Sequence, residues 1–165
     1  MIHRPRPSTF SIVAHDPQAG EWGVAVESKF LCVGAMVSWA RAGAGAVATQ
    51  SYCNTSFGPE GLALMEQGAS AQEAVDRLIA GDEWRAHRQV GMVDARGQGA
   101  TFTGQECHAW AGGFTGSYYT ATRQALSELV GTENFEERYD EPGGQISSQV
   151  MDIFREKFAP KTSVP

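Results

Sequence analysis

Apolar and polar positions alternate on both sides of a short turn near the start of the chain. Phe10, Ile12 and Ala14 alternate with Ser11, Val13 and His15, and Val24 and Val26 alternate with Ala25 and Glu27. A period of two is that of a strand with two different faces, so strands are expected over Thr9–Ala14 and Glu21–Lys29. Between them, Asp16-Pro17-Gln18-Ala19-Gly20 carries turn chemistry. Pro17 presets a negative φ, the Asp16 side chain can accept from N–H groups ahead of it, and Gly20 tolerates a positive φ. The pair reads as a hairpin. Two further segments, Val33–Trp39 and Ala44–Thr49, are apolar on both faces and predict strands held between layers. The small residues over 42–46 suit close approach of another layer.

The pattern then turns helical. Helices are expected over Pro59–Glu66 and Ser70–Ala80, the second opened by a capping box of Ser70 and Glu73. Ala71, Ala74, Val75, Leu78 and Ile79 form its apolar face, and Gly81 ends it. Gln89–Asp94 and Gly99–Thr103 flank the turn 95–98 as a second hairpin. Tyr118–Val130 reads as a polar helix, and a last amphipathic helix is expected from Ser147, with Val150, Ile153, Phe154 and Phe158 on one face. Strands, helices and strands again give an α+β class. Residues 1–8, with Pro5 and Pro7, read as a disordered lead-in, and 9–165 as a single domain whose part 117–165 is a divergent helical segment.

Composition narrows the partners. A chain of 165 residues buries roughly 68–70% of its unfolded surface, enough for a core without metal or disulfide. The net charge of −6, with no stripe of Lys and Arg, argues against nucleic acid. No apolar run approaches membrane-spanning length, and Met1–Ser8 has no apolar stretch behind its charges, so neither a membrane segment nor a secretory signal is read. Cys32, Cys53 and Cys107 are odd in number without CxxC spacing, which suits unpaired thiols in a reducing, cytoplasmic setting. Cys53, Cys107 and His108 lack metal-ligand spacing and read as packed thiols. His15 and His87 read as surface residues. No glycine-rich phosphate loop occurs, and no cofactor is expected.

One residue changes the picture chemically. If residues 1–8 were removed, Thr9 would carry an α-amine beside its hydroxyl, and an amine titrating at about 7.7–8.0 can take the hydroxyl proton near neutral pH. Within a continuous chain the same nitrogen is an amide and no base, and Thr9 is then an ordinary β-branched strand residue. Ser11 shares its face.

The TFSIVA opening, the GVAV strand, the AVATQ strand, the GPxGL loop-helix junction and Gly91-Met92-Val93-Asp94 together resemble a bacterial family, domain of unknown function 1028, of the N-terminal-nucleophile (Ntn) hydrolase superfamily. The resemblance covers Thr9 to Gly116. It implies a four-layer αββα sandwich, here shortened in its C-terminal half, and an amide-bond hydrolase of unspecified substrate. Ala25-Val26-Glu27-Ser28-Lys29 is similar to the Ala-Val-Asp-Ser-Arg stretch of proteasome-type members, which implies that Glu27 lies near the nucleophile. Lys29, two residues on, can tune the hydroxyl by its charge, or the two are a solvated surface pair. The order of the superfamily implies an oxyanion site at Thr49-Gln50-Ser51, with Gln50 adding a side-chain donor; the bland alternative is a polar strand exit.

The leading expectation is hydrolysis of a small or peptide-like amide through Thr9. The alternative is a non-catalytic binding or assembly module on the same scaffold, a suspected binder of cell-wall fragments. A homo-oligomer is expected if the shortened half leaves Val33–Trp39 and Ala44–Thr49 incompletely covered.

Overall fold

The strand headed by Thr9 runs to Asp16 (β1) and returns as β2, Glu21–Ser28, in antiparallel register from Thr9↔Ser28 to Asp16↔Glu21. In the turn, Asp16 Oδ1 accepts from the N–H groups of Gln18 (2.8 Å) and Ala19 (3.2 Å), and Gly20 sits at φ 68°. These are the bonds that its turn residues predict. The structure, a computed structural model, describes residues 9–108 and 111–124.

The segment Val33–Trp39 departs from the expected strand. Cys32 turns the chain at φ 63°, a short helix follows (α1, Val33–Val37), and the strand begins only at Ser38 (β3, Ser38–Arg41). Val33 and Val37, one helical turn apart, pack on the same buried cluster. Apolarity on every face fits a short helix wedged into a core as well as it fits a buried strand.

Strand β4, Gly45–Ser51, continues the chain, followed by helices α2, Phe57–Glu66, and α3, Ala71–Ala80. The Ser70 capping box forms on both sides: Ser70 Oγ accepts from Glu73 N–H at 3.2 Å, and the Glu73 carboxylate accepts from Ser70 N–H at 2.8 Å. A 3₁₀ turn, Arg85–His87, leads into the hairpin of β5, Arg88–Asp94, and β6, Gly99–Thr103. The buried Asp94 carboxylate ties this turn to the helix layer, accepting from Arg96 and Gln98 N–H through one oxygen and from Ala71 N–H through the other.

Two last strands, β7, Gly112–Gly116, and β8, Tyr119–Gln124, replace the start of the helix expected from Tyr118. β8 lies between β1 and β7, so both of its edges are paired. Thr120 and Thr122 alternate into the buried face at 0% and 2% exposure, a strand pattern written in β-branched polar residues. Residues 125–130 of that helix, and the one expected from Ser147, lie outside the described residues.

Two antiparallel four-stranded sheets result, β2-β1-β8-β7 and β3-β4-β5-β6. Their inner faces meet through Val13, Ala46, Ala48 and Val93, while α2 and α3 cover the other face of the second sheet through Val47, Val90 and Met92. β4 therefore lies between layers, as its two apolar faces predict. Close approach of the sheets needs small residues: a Cβ on Gly91 would sit 2.8 Å from Thr120 Oγ1. The described residues thus give a mixed α+β fold in three layers, helices on sheet on sheet. Ala44, Ala46, Val47 and Ala48 are fully buried within one chain, which removes β4 as a reason for assembly. No helix among the described residues is long and apolar enough to cross a membrane.

Candidate active site

The head of β1 and the ends of β2 and β4 converge at one end of the seam between the sheets. Register explains the meeting: Thr9 pairs with Ser28, and Gln50 shares the inward face of β4 with Ala46 and Ala48. A cleft of about 680 Å³ opens there. Thr9, Lys29, Gln50 and Ser51 all line it, which brings together four of the six residues singled out in the sequence.

Thr9 is 8% exposed, and its hydroxyl lies 3.0 Å from Ser28 Oγ. Ser28 Oγ in turn accepts from Phe30 N–H at 3.1 Å, which fixes the serine and leaves its proton available to Thr9. Ser11 shares the Thr9 face but bonds Thr122 across the sheet at 2.7 Å; it stiffens β1 without reaching Thr9. Lys29 follows the last residue of β2 and reaches the cleft from beyond the strand end.

Glu27 is elsewhere. It is exposed and in register with Phe10, so it faces the side of β2 away from Ser28 and Thr9. The expected Glu27–Lys29 face breaks because the strand stops between them. Thr49 also points away from the cleft: it is fully buried in the direction of the helices, and its hydroxyl donates to Asn54 C=O at 3.3 Å. It is not among the residues that line the cleft. β3 pairs with β4 only as far as Ala48, so Thr49–Ser51 extends past its partner on that edge. Ser51 leaves the strand at φ 69°, a left-handed conformation that costs a non-glycine residue about 1–2 kcal/mol and that concentrates at functional sites.

Gln50, expected to add a side-chain donor, is engaged with a neighbour on β5. Its Nε2 donates to Gln89 Oε1 at 2.6 Å, and its own Oε1 is buried without a hydrogen-bond partner among the described residues. One N–H of that amide is engaged by Gln89, and the oxygen is left over as an acceptor.

Residues that pattern reading missed shape the floor and rim. Arg88 Nε donates to Asp82 Oδ2 at 2.8 Å, and another guanidinium nitrogen donates to Tyr52 C=O, pinning the chain just after Ser51. Burial by itself would raise the Asp82 carboxyl, but hydrogen bonds from Arg88, Asn54 and Trp84 N–H, with the Arg88 charge, hold it below the usual range. Phe30, Tyr52 and Trp84 stand at the rim, 55–62% exposed. Arg88 and Asp82 carried no spacing signal; the aromatics, scattered over more than fifty positions, are gathered only by the fold.

Cys53 also lines the cleft. Burial pushes its thiol up, outweighing the Thr49 hydrogen bond and the Arg88 charge, so it stays a protonated thiol near neutral pH. The three cysteines are unpaired, with Cys32 exposed and the other two half-buried; Cys53 Sγ donates to Met36 C=O and Cys107 Sγ to Arg88 C=O. No cluster of three metal-ligating side chains is found among the described residues. His15, expected at the surface, is 7% exposed and stacks on Trp22 with ring centroids 4.3 Å apart. His87 is half-buried, with Nε2 2.9 Å from Glu106.

Comparison with known proteins places the chain among relatives. A family model described as "Family of unknown function (DUF1028)" matches residues 9–155, well past Gly116, where the motifs that carry the resemblance in the sequence end. The crystal structure of protein SPO2555 from Silicibacter pomeroyi, described with the same family, is similar at 31% identity and a TM-score of 0.69, over 79% of this chain and 63% of that one. The chain thus spans less than two thirds of that relative's length. No curated protein matches it. A family match over most of the chain, with a related structure at this identity, leads to one statement: the chain belongs to the DUF1028 family of unknown function.

Proposed function

We propose that this protein is an amide hydrolase of the N-terminal-nucleophile type, acting through Thr9 once the Ser8–Thr9 bond is cut. The observation that supports it is the position of Thr9: first residue of β1, buried, its hydroxyl bonded to Ser28, and facing a cleft with Lys29, Gln50 and Ser51. The freed α-amine takes the hydroxyl proton, and Oγ1 attacks the amide carbonyl. Backbone N–H groups along Thr49–Ser51, beyond the end of β3, hold the developing oxyanion. The ammonium returns its proton to the leaving nitrogen as the C–N bond breaks. Water then attacks the acyl ester, releasing the acid and restoring the threonine. Lys29 adds positive charge on the same side. The competing nucleophile, Cys53, is disfavoured by its raised thiol.

In this reading the three described layers belong to a four-layer αββα sandwich, shortened in its C-terminal half. The substrate is a small or peptide-like amide, the setting cytoplasmic, the chemistry free of cofactors, and the assembly a homo-oligomer joined by surfaces other than β4. A second reading, a binding module for cell-wall fragments, draws on the exposed rim of Tyr52 and Trp84, which can stack on flat or sugar-like ligands. A form made to begin at Thr9, assayed against a library of acyl-amino amides beside the full chain, separates the two. Turnover by the shorter form alone supports the hydrolase. Binding without turnover by either form supports the module.

A further inference from the structure

Gln50 and Gln89 face each other across β4 and β5, and the direction of their hydrogen bond is dictated from outside the pair. Gln89 Nε2 lies 3.1 Å from the carbonyl oxygen of Gly112 and 2.9 Å from Thr103 Oγ1. A backbone carbonyl only accepts, so the Gln89 amide nitrogen must be the atom turned toward it. Its Oε1 is then turned toward Gln50, which must answer with its own nitrogen at 2.6 Å. Three groups in a row fix which end of Gln50 is left over. It is Oε1, on a side chain 1% exposed that lines the cleft, without a partner among the described residues. A buried amide oxygen left unpaired carries the desolvation cost of an unmet acceptor. A seated ligand that brings a donor relieves that cost.

We infer that Gln50 Oε1 is a recognition point for an N–H of the ligand, so that the cleft selects secondary amides over esters of the same shape, with an apolar or aromatic flank packed on the rim. This rests on the hydrolase reading only in using the same cleft. Selection of this kind has a chemical purpose, because an acyl-transfer nucleophile left to itself reacts more readily with esters. The preference for amides must come from binding.

The test uses the full chain, residues 1–8 in place, with glutamine side chains labelled by nitrogen-15. The probes are N-methyl-2-phenylacetamide and its ester isostere methyl phenylacetate, titrated by NMR. The amide is expected to bind at least about tenfold more tightly than the ester and to shift the side-chain signals of Gln50 and Gln89. Q50L, which removes the acceptor, is expected to bring the ratio to near one. Because the ratio is read on the unaltered chain, the test stands even if that variant does not fold. Equal affinities, amide binding that leaves the Gln50 signal unmoved, or no binding of either probe would overturn the inference. The outcome is independent of catalysis: a chain with no hydrolase activity can still show the ratio, and an active hydrolase can lack it.

Discussion

Thr9 and Ser28 meet because β1 and β2 pair at that position, and the contact is narrow enough to test by single atoms. In a form beginning at Thr9, T9A is expected to lower amide hydrolysis by at least about a thousandfold while thermal stability changes little. T9S should keep part of the rate. Retained activity in T9A would move the nucleophile elsewhere, with Ser28 and Ser51 the next hydroxyls on the cleft. The Asp82–Arg88 pair makes a separate prediction. A carboxyl held low in the folded state contributes stability that is fully present above its unfolded value, near 3.9, and is lost as pH falls through the folded one. D82N is therefore expected to cost about 1–3 kcal/mol at pH 7, by taking the carboxylate from a half-buried guanidinium that keeps its bond to the Tyr52 carbonyl. The gap to the unaltered chain should narrow below about pH 4. Urea unfolding at both pH values reads it, and a gap that stays constant with pH would contradict the origin assigned to it.

Elements were legible where local chemistry decides them. The Asp16 turn, the Ser70 capping box and the hairpin around residues 95–98 rest on bonds within a few residues, so the pattern that predicts them is also what forms them. S70A is expected to cost about 1 kcal/mol, measured as a shift of the urea midpoint. α1 and β8 were not legible for the complementary reason. Val33–Val37 becomes helical after a left-handed Cys32 that no local signal announces. Thr120 and Thr122 carry a strand alternation that their polarity disguised, because their faces are buried only by a sheet distant in sequence. The site divides the same way. Thr9 could be named from its place at the head of a strand, and Lys29, Gln50 and Ser51 from the family resemblance, but the direction of Gln50 depends on Gly112, and the parting of Lys29 from Glu27 on where β2 ends. Packing between elements can be probed at Gly58, where the Trp39 ring occupies the space of a Cβ. G58A is expected to destabilise by about 1–3 kcal/mol and to change the Trp39 environment, seen as a shift in fluorescence.

At the scale of the molecule, two sheets packed face to face put the ends of three strands at one mouth, and the cleft follows from that stacking. Small side chains along the seam, Gly91 under Thr120 and the alanines of β4, bring the sheets close enough for Thr9 and Gln50 to line one cavity. The rest of the sandwich adds rigidity: Asp94 joins the β5–β6 turn to α3, and Trp22 Nε1 reaches across from β2 to the Asp94 carbonyl. In the proposed mechanism Thr9 is a strand-leading residue whose reactivity turns on a single covalent fact, whether its nitrogen is an amide or an amine. That fact is open to direct measurement. Protein from its own host is purified on the amide-hydrolysing activity found with the library, and the active fraction is analysed by intact mass and N-terminal sequencing. The expected result is a chain that begins at Thr9; full activity in a chain that still carries Met1–Ser8 would contradict the mechanism.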